Sequence, residues 1–242
     1  MAFNAKLLPE PTNEYVAWVD VMGIQSAMGR SLSISANFVF KLHIAALSAP
    51  RDNIQIYPVM DGFYASSTSK EAMIKFLRSV MASVGQTFLD TTVPLHRFVV
   101  RGALAFGPVI HGSQVPDVID PALVGYDAYK SSILLGQPMI QANKAEGIAP
   151  PFGIYIHESA RAFAPIGQQP FHHVWLRWVN PDVGDIWNNL LEQLNAHYAW
   201  CLERPNRLLY QPARIAAHKD LANEYFAVEK DHHFNPNDVV PT

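Results

Sequence analysis

Apolar residues recur with two different periods along the chain, and the change from one period to the other predicts the secondary structure. Runs typical of β-strands cover residues 15–19, 54–66, 97–112 and 152–156. Between these runs, apolar residues three or four positions apart predict helices over 25–47, 69–88 and 139–146. The segment 127–135 is compatible with either a strand or a helix.

The resulting order, β α β β α β (β) α β, predicts an α+β fold with a ferredoxin-like βαββαβ core. Such an order favours a largely antiparallel sheet with helices on one face. After residue 169 the pattern changes to an apolar strand over 171–179 and two amphipathic helices over 186–202 and 213–229. The expected organisation is a core domain (1–170), a C-terminal strand and helical extension (171–230) and a disordered tail (231–242).

Two aspartates end strand-like runs and stand close to glycines, in Val-Asp-Val-Met-Gly (19–23) and Met-Asp-Gly (60–62). If the two strands are neighbours, a spacing of about 4.8 Å brings Asp20 and Asp61 close enough to share divalent cations. A pair of metals stabilises the attacking and leaving oxygens of a phosphoryl displacement. Taken singly, each residue also has a structural interpretation: Asp61-Gly62 is a hairpin signal, and Asp20 is a helix-capping residue type.

Composition limits the function classes. The 242 residues are 49% hydrophobic and 16% charged, as in globular proteins, and the net charge of −3 provides no basic field for nucleic acid or anionic membranes. The single cysteine, Cys201, cannot form an internal disulfide and is predicted to lie in the core. The ten histidines lack zinc-site spacing, and no signal peptide or long apolar run is recognised, so a cytoplasmic protein is expected.

The order of these motifs resembles the class III nucleotidyl cyclases. The segments that carry the resemblance are Asp20-Val21-Met22-Gly23-Ile24, Met60-Asp61-Gly62, Arg101-Gly102 through Gly107-Pro108-Val109, and Gly136-Gln137-Pro138 followed by a helix. They span roughly residues 12–165.

The resemblance implies that Asp20, Asp61 and the carbonyl of Val21 bind two divalent ions, Mn²⁺ or Mg²⁺. It also implies that backbone amides from Met22, Gly23 and Ile24 onward cradle the phosphates of a nucleotide. The implied reaction is attack of a ribose 3′-hydroxyl on the α-phosphate with release of pyrophosphate. Because the family draws each site from two subunits, a head-to-tail homodimer with sites at its interface is expected.

Departures from the family motifs point to the base. Adenylate cyclases have lysine, and guanylate cyclases glutamate, where this chain has Tyr57; a second base-reading position holds Ile133 instead of aspartate. A bulky ring with one hydroxyl and a side chain that cannot form hydrogen bonds suit a purine edge poorly. The chain is therefore similar to the pyrimidine cyclases of bacterial anti-phage (Pycsar) systems, which make cyclic UMP or cyclic CMP for a separate effector. UTP is favoured over CTP.

The residues that stabilise the transition state also differ. Ile140 and Lys144 stand where the family has asparagine and arginine, so Lys144 is expected to contact phosphate, and Arg101 is a second candidate. Two alternatives stay open: a cyclase-like module that binds nucleotide or protein without turnover, and an adenylate cyclase with unusual base recognition.

Overall fold

The structure is a computed structural model that describes residues 4–163, 175–176, 178, 184–208, 210–227 and 233–234. The strands are β1 (Thr12–Val21), β2 (Gln55–Val59), β3 (Gly62–Ser67), β4 (Val100–His111), β5 (Leu134–Gly136), β6 (Ile154–Ile156), β7 (Trp175–Leu176) and β8 (His233–Phe234). The α-helices are α1 (Ile24–Met28), α2 (Leu32–Ser48), α3 (Lys70–Asp90), α4 (Asp127–Ser131), α5 (Gln137–Glu146), α6 (Gly184–Glu203), α7 (Pro205–Leu208) and α8 (Pro212–Phe226).

All the described strands join one sheet in the order β2-β3-β1-β4-β6-β7-β8, with β5 paired to β4. Neighbours run antiparallel except for β4 with β6 and β7 with β8, which are parallel. The central strand β1 therefore has β3 on one side and β4 on the other. This position places the end of β1, and with it Asp20, between two strands.

One face of the sheet carries the main core. Alternate residues of β1 point into it, namely Tyr15, Ala17, Val19 and Val21, where they meet buried side chains of α2 and α3. Residues of α6 and α8 belong to the same core, and the indole of Trp178 donates a hydrogen bond of 2.8 Å to the carbonyl of Phe152. The C-terminal helices thus complete the cover of this face.

The opposite face carries a second, smaller core of buried residues. Here Val16 and Trp18 of β1 pack with Tyr64 of β3, beneath Met139 and Ala142 of α5. The predicted α+β cyclase-like fold is confirmed, but α5 lies on the face opposite to the other long helices. Small residues allow the helix to approach the strands closely, since Ala142 is fully buried against them.

Other differences from the predicted elements have local causes. The predicted helix over 25–47 is two helices, because the first ends at Gly29 and the hydroxyl of Ser31 caps the second by accepting from the amide of Ile34 at 3.3 Å. The ambiguous segment 127–135 contains both α4 and the start of β5.

The C-terminal extension is described in parts. Helices α6 and α8 confirm the two predicted helices, and Cys201 is buried as expected. Of the predicted strand over 171–179, residues 175–176 form β7, and most of the remainder lies outside the described residues. Within the tail predicted to be disordered, 233–234 form β8 against β7, and the other residues of 231–242 lie outside the described ones. Among the described helices, none combines the length and hydropathy needed to cross a bilayer.

Candidate active site

The two aspartates meet where β1 and β3 end. Asp20 is in register with Gly62 of β3, and Asp61 precedes that glycine in the two-residue turn between β2 and β3. The turn itself is made by Met60, which has a positive φ of 46°. Gly62 serves packing instead, since a β-carbon there would lie 2.4 Å from the carbonyl oxygen of Val19. Asp61 is thus presented at the hairpin tip beside Asp20.

Asp20 carries a destabilised charge. Burial raises the pKa of its carboxyl to about 7, with smaller contributions from the charges of Asp61 and Glu146, while the amide of Val21 and the charge of Arg101 act in the opposite direction. The Oδ1 atom of Asp20 is buried and accepts no hydrogen bond from any described residue. A buried carboxylate oxygen without a partner is a site where a cation would be favoured.

The third carboxylate of this site is Glu146 on α5, and its cation is Arg101 on β4. Arg101 is in register with Asp20 on the side away from Gly62. Its Nε donates to the Glu146 carboxylate, and its Nη1 donates to the carbonyl of Gly147 at 3.2 Å. Asp20 is therefore influenced by two further carboxylates, Asp61 and Glu146, and by one guanidinium, Arg101, which leaves the site negative. The end of α5 orients Arg101, and sequence reasoning missed Glu146 because its contact spans 45 residues.

These residues fit divalent metal ions that are completed by a substrate. Asp20 and Asp61 supply oxygen ligands, and Mg²⁺ typically takes one or two carboxylates and fills its remaining positions with water and phosphate oxygens. Among the described residues there is no group of three or more His, Cys, Asp or Glu side chains placed to hold an ion by themselves. An ion bound by this pair would therefore need further ligands, such as water or anionic oxygens.

The loop after β1 was expected to cradle phosphates. The amide of Met22 already donates to the carbonyl of Val99 at 2.8 Å. Gly23 has a positive φ of 71° and precedes α1, where the amides of Ser26 and Ala27 donate to the carbonyl of Gly23 at 3.1 and 3.3 Å. The amides that remain for an anion are those of Gly23, Ile24 and Gln25, and their role stays a prediction.

Tyr57, the predicted base-facing residue, is buried in the sheet face. The residue is 3% exposed, and its hydroxyl donates to Gln55 Oε1 at 2.7 Å and also contacts His111 Nδ1. His111 in turn contacts the carboxylate of Glu14. The ring is therefore closed to stacking in this conformation, and a direct contact between Tyr57 and a base stays a prediction.

Ile133, the second predicted base-facing residue, lies close to the same network. Its carbonyl accepts from the amide of Gly112 at 2.9 Å, and the next residue, Leu134, pairs with His111 across β4 and β5. The fold thus brings both predicted base-reading positions to one region. Nothing in the spacing of the sequence could have identified His111 as the link between them.

Lys144 lies elsewhere. It is exposed on α5, in an open groove of about 640 Å³ that Ile140, Gln141 and Tyr155 also line. The structure therefore brings Asp20, Asp61 and Arg101 together within one chain, and it places Lys144 in a groove that none of these three residues lines.

The C-terminal extension reaches the vicinity of Arg101, which sequence reasoning did not foresee. Burial lowers the pKa of His218 to about 4, and the charges of Arg101 and Arg214 lower it further. His218 is bonded to the hydroxyl of Tyr210, whose ring contacts that of Tyr198 on α6. Helices α6 and α8 consequently contribute to the surroundings of the site as well as to the core.

Comparison with known proteins identifies the fold. No protein-family model matches the chain, and no curated protein matches it. Among solved structures, a bacterial light-regulated adenylyl cyclase has a TM-score of 0.50 at 16% identity, over 65% of this chain and 47% of that chain.

Two further structures are similar in part. The guanylyl cyclase domain of the RhoGC fusion protein from the aquatic fungus Blastocladiella emersonii has a TM-score of 0.47 at 16% identity, over 63% of this chain and 85% of that one. An adenylate/guanylate cyclase/hydrolase from Silicibacter pomeroyi has a TM-score of 0.44 at 15% identity, over 69% and 96%. At such identities the likeness concerns the fold, which is that of the class III nucleotidyl cyclases.

Proposed function

We propose that the protein is a metal-dependent nucleotidyl cyclase that acts on a pyrimidine nucleoside triphosphate, UTP in preference to CTP. The observation that carries this proposal is the Asp20–Asp61 pair at the hairpin of a cyclase-fold sheet. The buried Oδ1 of Asp20 has no partner among the described residues, and the pKa of that carboxyl is raised to about 7. A structural aspartate would have its oxygens satisfied, whereas this one is poised for a cation.

In the proposed reaction, the ribose 3′-oxygen bonds to the α-phosphorus, the bond from that phosphorus to pyrophosphate breaks, and the 3′-proton passes to solvent. Asp20, Asp61 and the carbonyl of Val21 would hold two Mn²⁺ or Mg²⁺ ions, which supply charge neutralisation at the phosphates. Backbone amides that follow Met22 bind phosphate oxygens. Arg101, held by Glu146, balances part of the negative charge when the ions are absent.

The active unit is proposed to be a head-to-tail homodimer. Lys144 contributes positive charge for the α-phosphate, but within one chain it lies in a groove apart from Asp20. A second copy that turns its α5 groove toward the first copy's aspartates would complete the site. Ile140 and Lys144 are exposed on α5, so the outer side of this helix is available for that contact.

The pyrimidine substrate is supported by Tyr57 and Ile133, which occupy the positions where purine cyclases of the family carry base-reading polar residues. The proposed product, cyclic UMP or less favourably cyclic CMP, would act as a diffusible second messenger for a separate effector protein in anti-phage defence. A cytoplasmic location follows from that role.

The proposal is tested by incubating the purified protein with Mn²⁺ and each of the four nucleoside triphosphates, with products resolved by mass. We expect a cyclic pyrimidine nucleotide and pyrophosphate, both absent with Asp20→Ala. A cyclic purine product would favour the alternative of an adenylate or guanylate cyclase with unusual base recognition. No product from a confirmed dimer would contradict catalysis.

A non-catalytic cyclase-like module is the second candidate. It is favoured by Ile140, which replaces the family's asparagine with a side chain that cannot form hydrogen bonds. Such a module would gain thermal stability from Mn²⁺ with nucleotide, and would lose that gain in Asp61→Ala, without turnover.

A further inference from the structure

A chain of hydrogen bonds runs from the interior of the second sheet face to the edge strand β2. Thr12 Oγ1 donates to Glu14 Oε1 at 2.8 Å, and the same carboxylate oxygen lies 2.8 Å from His111 Nε2. His111 Nδ1 contacts the hydroxyl of Tyr57, which donates to Gln55 Oε1 at 2.7 Å. Glu14, His111 and Tyr57 are all buried, at 6%, 1% and 3% exposure, whereas Gln55 is exposed. Thr12, at the other end, is half-buried, so Gln55 is the more accessible end of this hydrogen-bond network.

The number of protons fixes the direction of this chain. A tyrosine hydroxyl has one proton, and that of Tyr57 is given to Gln55. The contact with His111 Nδ1 must then use a proton on that nitrogen. His111 accordingly donates from Nδ1 to Tyr57, while its Nε2 lies 2.8 Å from the carboxyl oxygen of Glu14.

Burial keeps the proton of the Tyr57 hydroxyl in place. Burial, and then the charge of Glu14, raise the pKa of the Tyr57 hydroxyl to about 12, so it keeps its proton. With its oxygen engaged by Tyr57, Gln55 turns its NH₂ group outward, and no described residue accepts a hydrogen bond from that group.

We propose that Gln55 reads the base, and that Tyr57, His111 and Glu14 are positioning residues that make it offer a donor. Gln55 and Tyr57 lie two residues apart on β2, so they share one face of the sheet, on which Tyr57 is buried and Gln55 is exposed. An outward NH₂ pairs with a base carbonyl, as at the 4-position of uracil, and opposes the 4-amino group of cytosine with a second donor. This inference rests on the proposed function and names the determinant of UTP over CTP.

The test is the ratio of dissociation constants for UTP and CTP, measured by calorimetry with Mn²⁺ and non-hydrolysable analogues. The wild type should bind the UTP analogue about tenfold or more tightly, as expected when a mismatch leaves polar groups unpaired. In Gln55→Glu, one carboxylate oxygen still accepts from Tyr57 and the other becomes an outward acceptor, so the ratio should invert in favour of CTP. Gln114→Glu makes the same change at an exposed residue outside this hydrogen-bond network, and it should keep the wild-type ratio.

Two variants test the positioning residues. Tyr57→Phe frees the amide of Gln55 to rotate, so the ratio should fall toward one. Glu14→Gln replaces the carboxyl with an amide whose oxygen can accept from Nε2–H of His111. Nδ1 is then free to accept from Tyr57, and Gln55 can turn its oxygen outward. That variant should move the ratio toward CTP, a change that a loss of stability alone would not produce.

The outcomes separate the two proposals. If the wild type binds nucleotides but Gln55→Glu keeps the wild-type ratio and melting temperature, the inference is wrong and the proposed cyclase survives. If the wild type binds no nucleoside triphosphate with Mn²⁺, both are wrong. An inverted ratio in Gln55→Glu together with an unchanged ratio in Gln114→Glu supports the assignment of Gln55.

Discussion

The two faces of the central sheet are built from alternate residues of the same strands, yet they differ in chemistry. The face beneath α2, α3 and α6 is apolar, with Val19 and Phe63 fully buried. The opposite face carries Asp20, Arg101 and the polar chain that ends at Gln55. Because strand residues alternate between faces, one segment such as β1 contributes to both.

This difference separates stability from function. The covered face gains free energy by removing apolar surface from water, at about 25 cal/mol per Å². The second face instead keeps a carboxyl whose pKa is raised to about 7 by burial and neighbouring charges, an arrangement that costs stability in the metal-free protein. Substitutions of apolar core residues should therefore destabilise the protein, whereas substitutions of Asp20 and Lys144 should raise stability or leave it unchanged while removing function.

The largest effect on stability is expected for Phe63→Ala. Phe63 is fully buried and packs edge-on against Phe76 of α3 at 6.0 Å between ring centres. Losing the ring leaves a cavity and should lower the free energy of unfolding by about 3–5 kcal/mol in urea titrations. The control Phe63→Leu should cost less because it fills more of the space. A loss below about 1 kcal/mol for Phe63→Ala would contradict the assignment of this face to stability.

Asp20→Asn is expected to raise the free energy of unfolding, by less than Phe63→Ala lowers it. Between pH 4 and 7 the unfolded aspartate, with a pKa near 3.8, is ionised, while the folded carboxyl, with a pKa of about 7, keeps its proton. The wild type therefore loses stability as the pH rises through this range, and above pH 7 the loss is constant. The asparagine variant has no such loss.

The melting temperature of metal-free Asp20→Asn should thus exceed that of the wild type, by a margin that grows from pH 4 to 7 and then stays level. With allowance for partial exposure, the gain at pH 8 should be about 1–2 kcal/mol. Stabilisation by Mn²⁺ with nucleotide should be absent from the variant. A margin that is independent of pH would contradict the raised pKa, and Asp52→Asn, an exposed aspartate, serves as the control.

The fold was predictable from the sequence where the pattern was local. Periodicity located the main strands and helices, and the motif order indicated the cyclase-like topology that the structure has. The break between α1 and α2 was missed because apolar spacing continues through Gly29, whereas the cap made by Ser31 interrupts the helix. The placement of α5 depends on its small buried residues fitting against strands distant in sequence, which periodicity does not report.

Of the candidate site, the two aspartates at the strand ends were predictable from the sequence. Asp20 and Asp61 were found because each follows an apolar run, so sheet geometry brings them together. Glu146 was not found because its contact with Arg101 spans 45 residues. His111 was not found because its contacts with Tyr57 and Glu14 span 54 and 97 residues. Gln55 was not found because its role depends on one exposed amide on an edge strand. Tyr57 was selected for its position, but the burial of its ring and the direction of its hydrogen bond are properties of the folded sheet.

The smallest effect on stability, and the sharpest separation of the two properties, is expected for Lys144→Ala. Lys144 is an exposed helical residue, and alanine has a high helix propensity. The free energy of unfolding should therefore change by less than about 0.5 kcal/mol. If Lys144 supplies charge to the α-phosphate, turnover should fall about 10²–10³-fold. The control is Lys75→Ala, which replaces an exposed lysine on α3, the helix that packs against the apolar sheet face. It should change neither the free energy of unfolding nor turnover. Equal turnover in the two variants would remove Lys144 from the site and leave Arg101 as the candidate for phosphate contact.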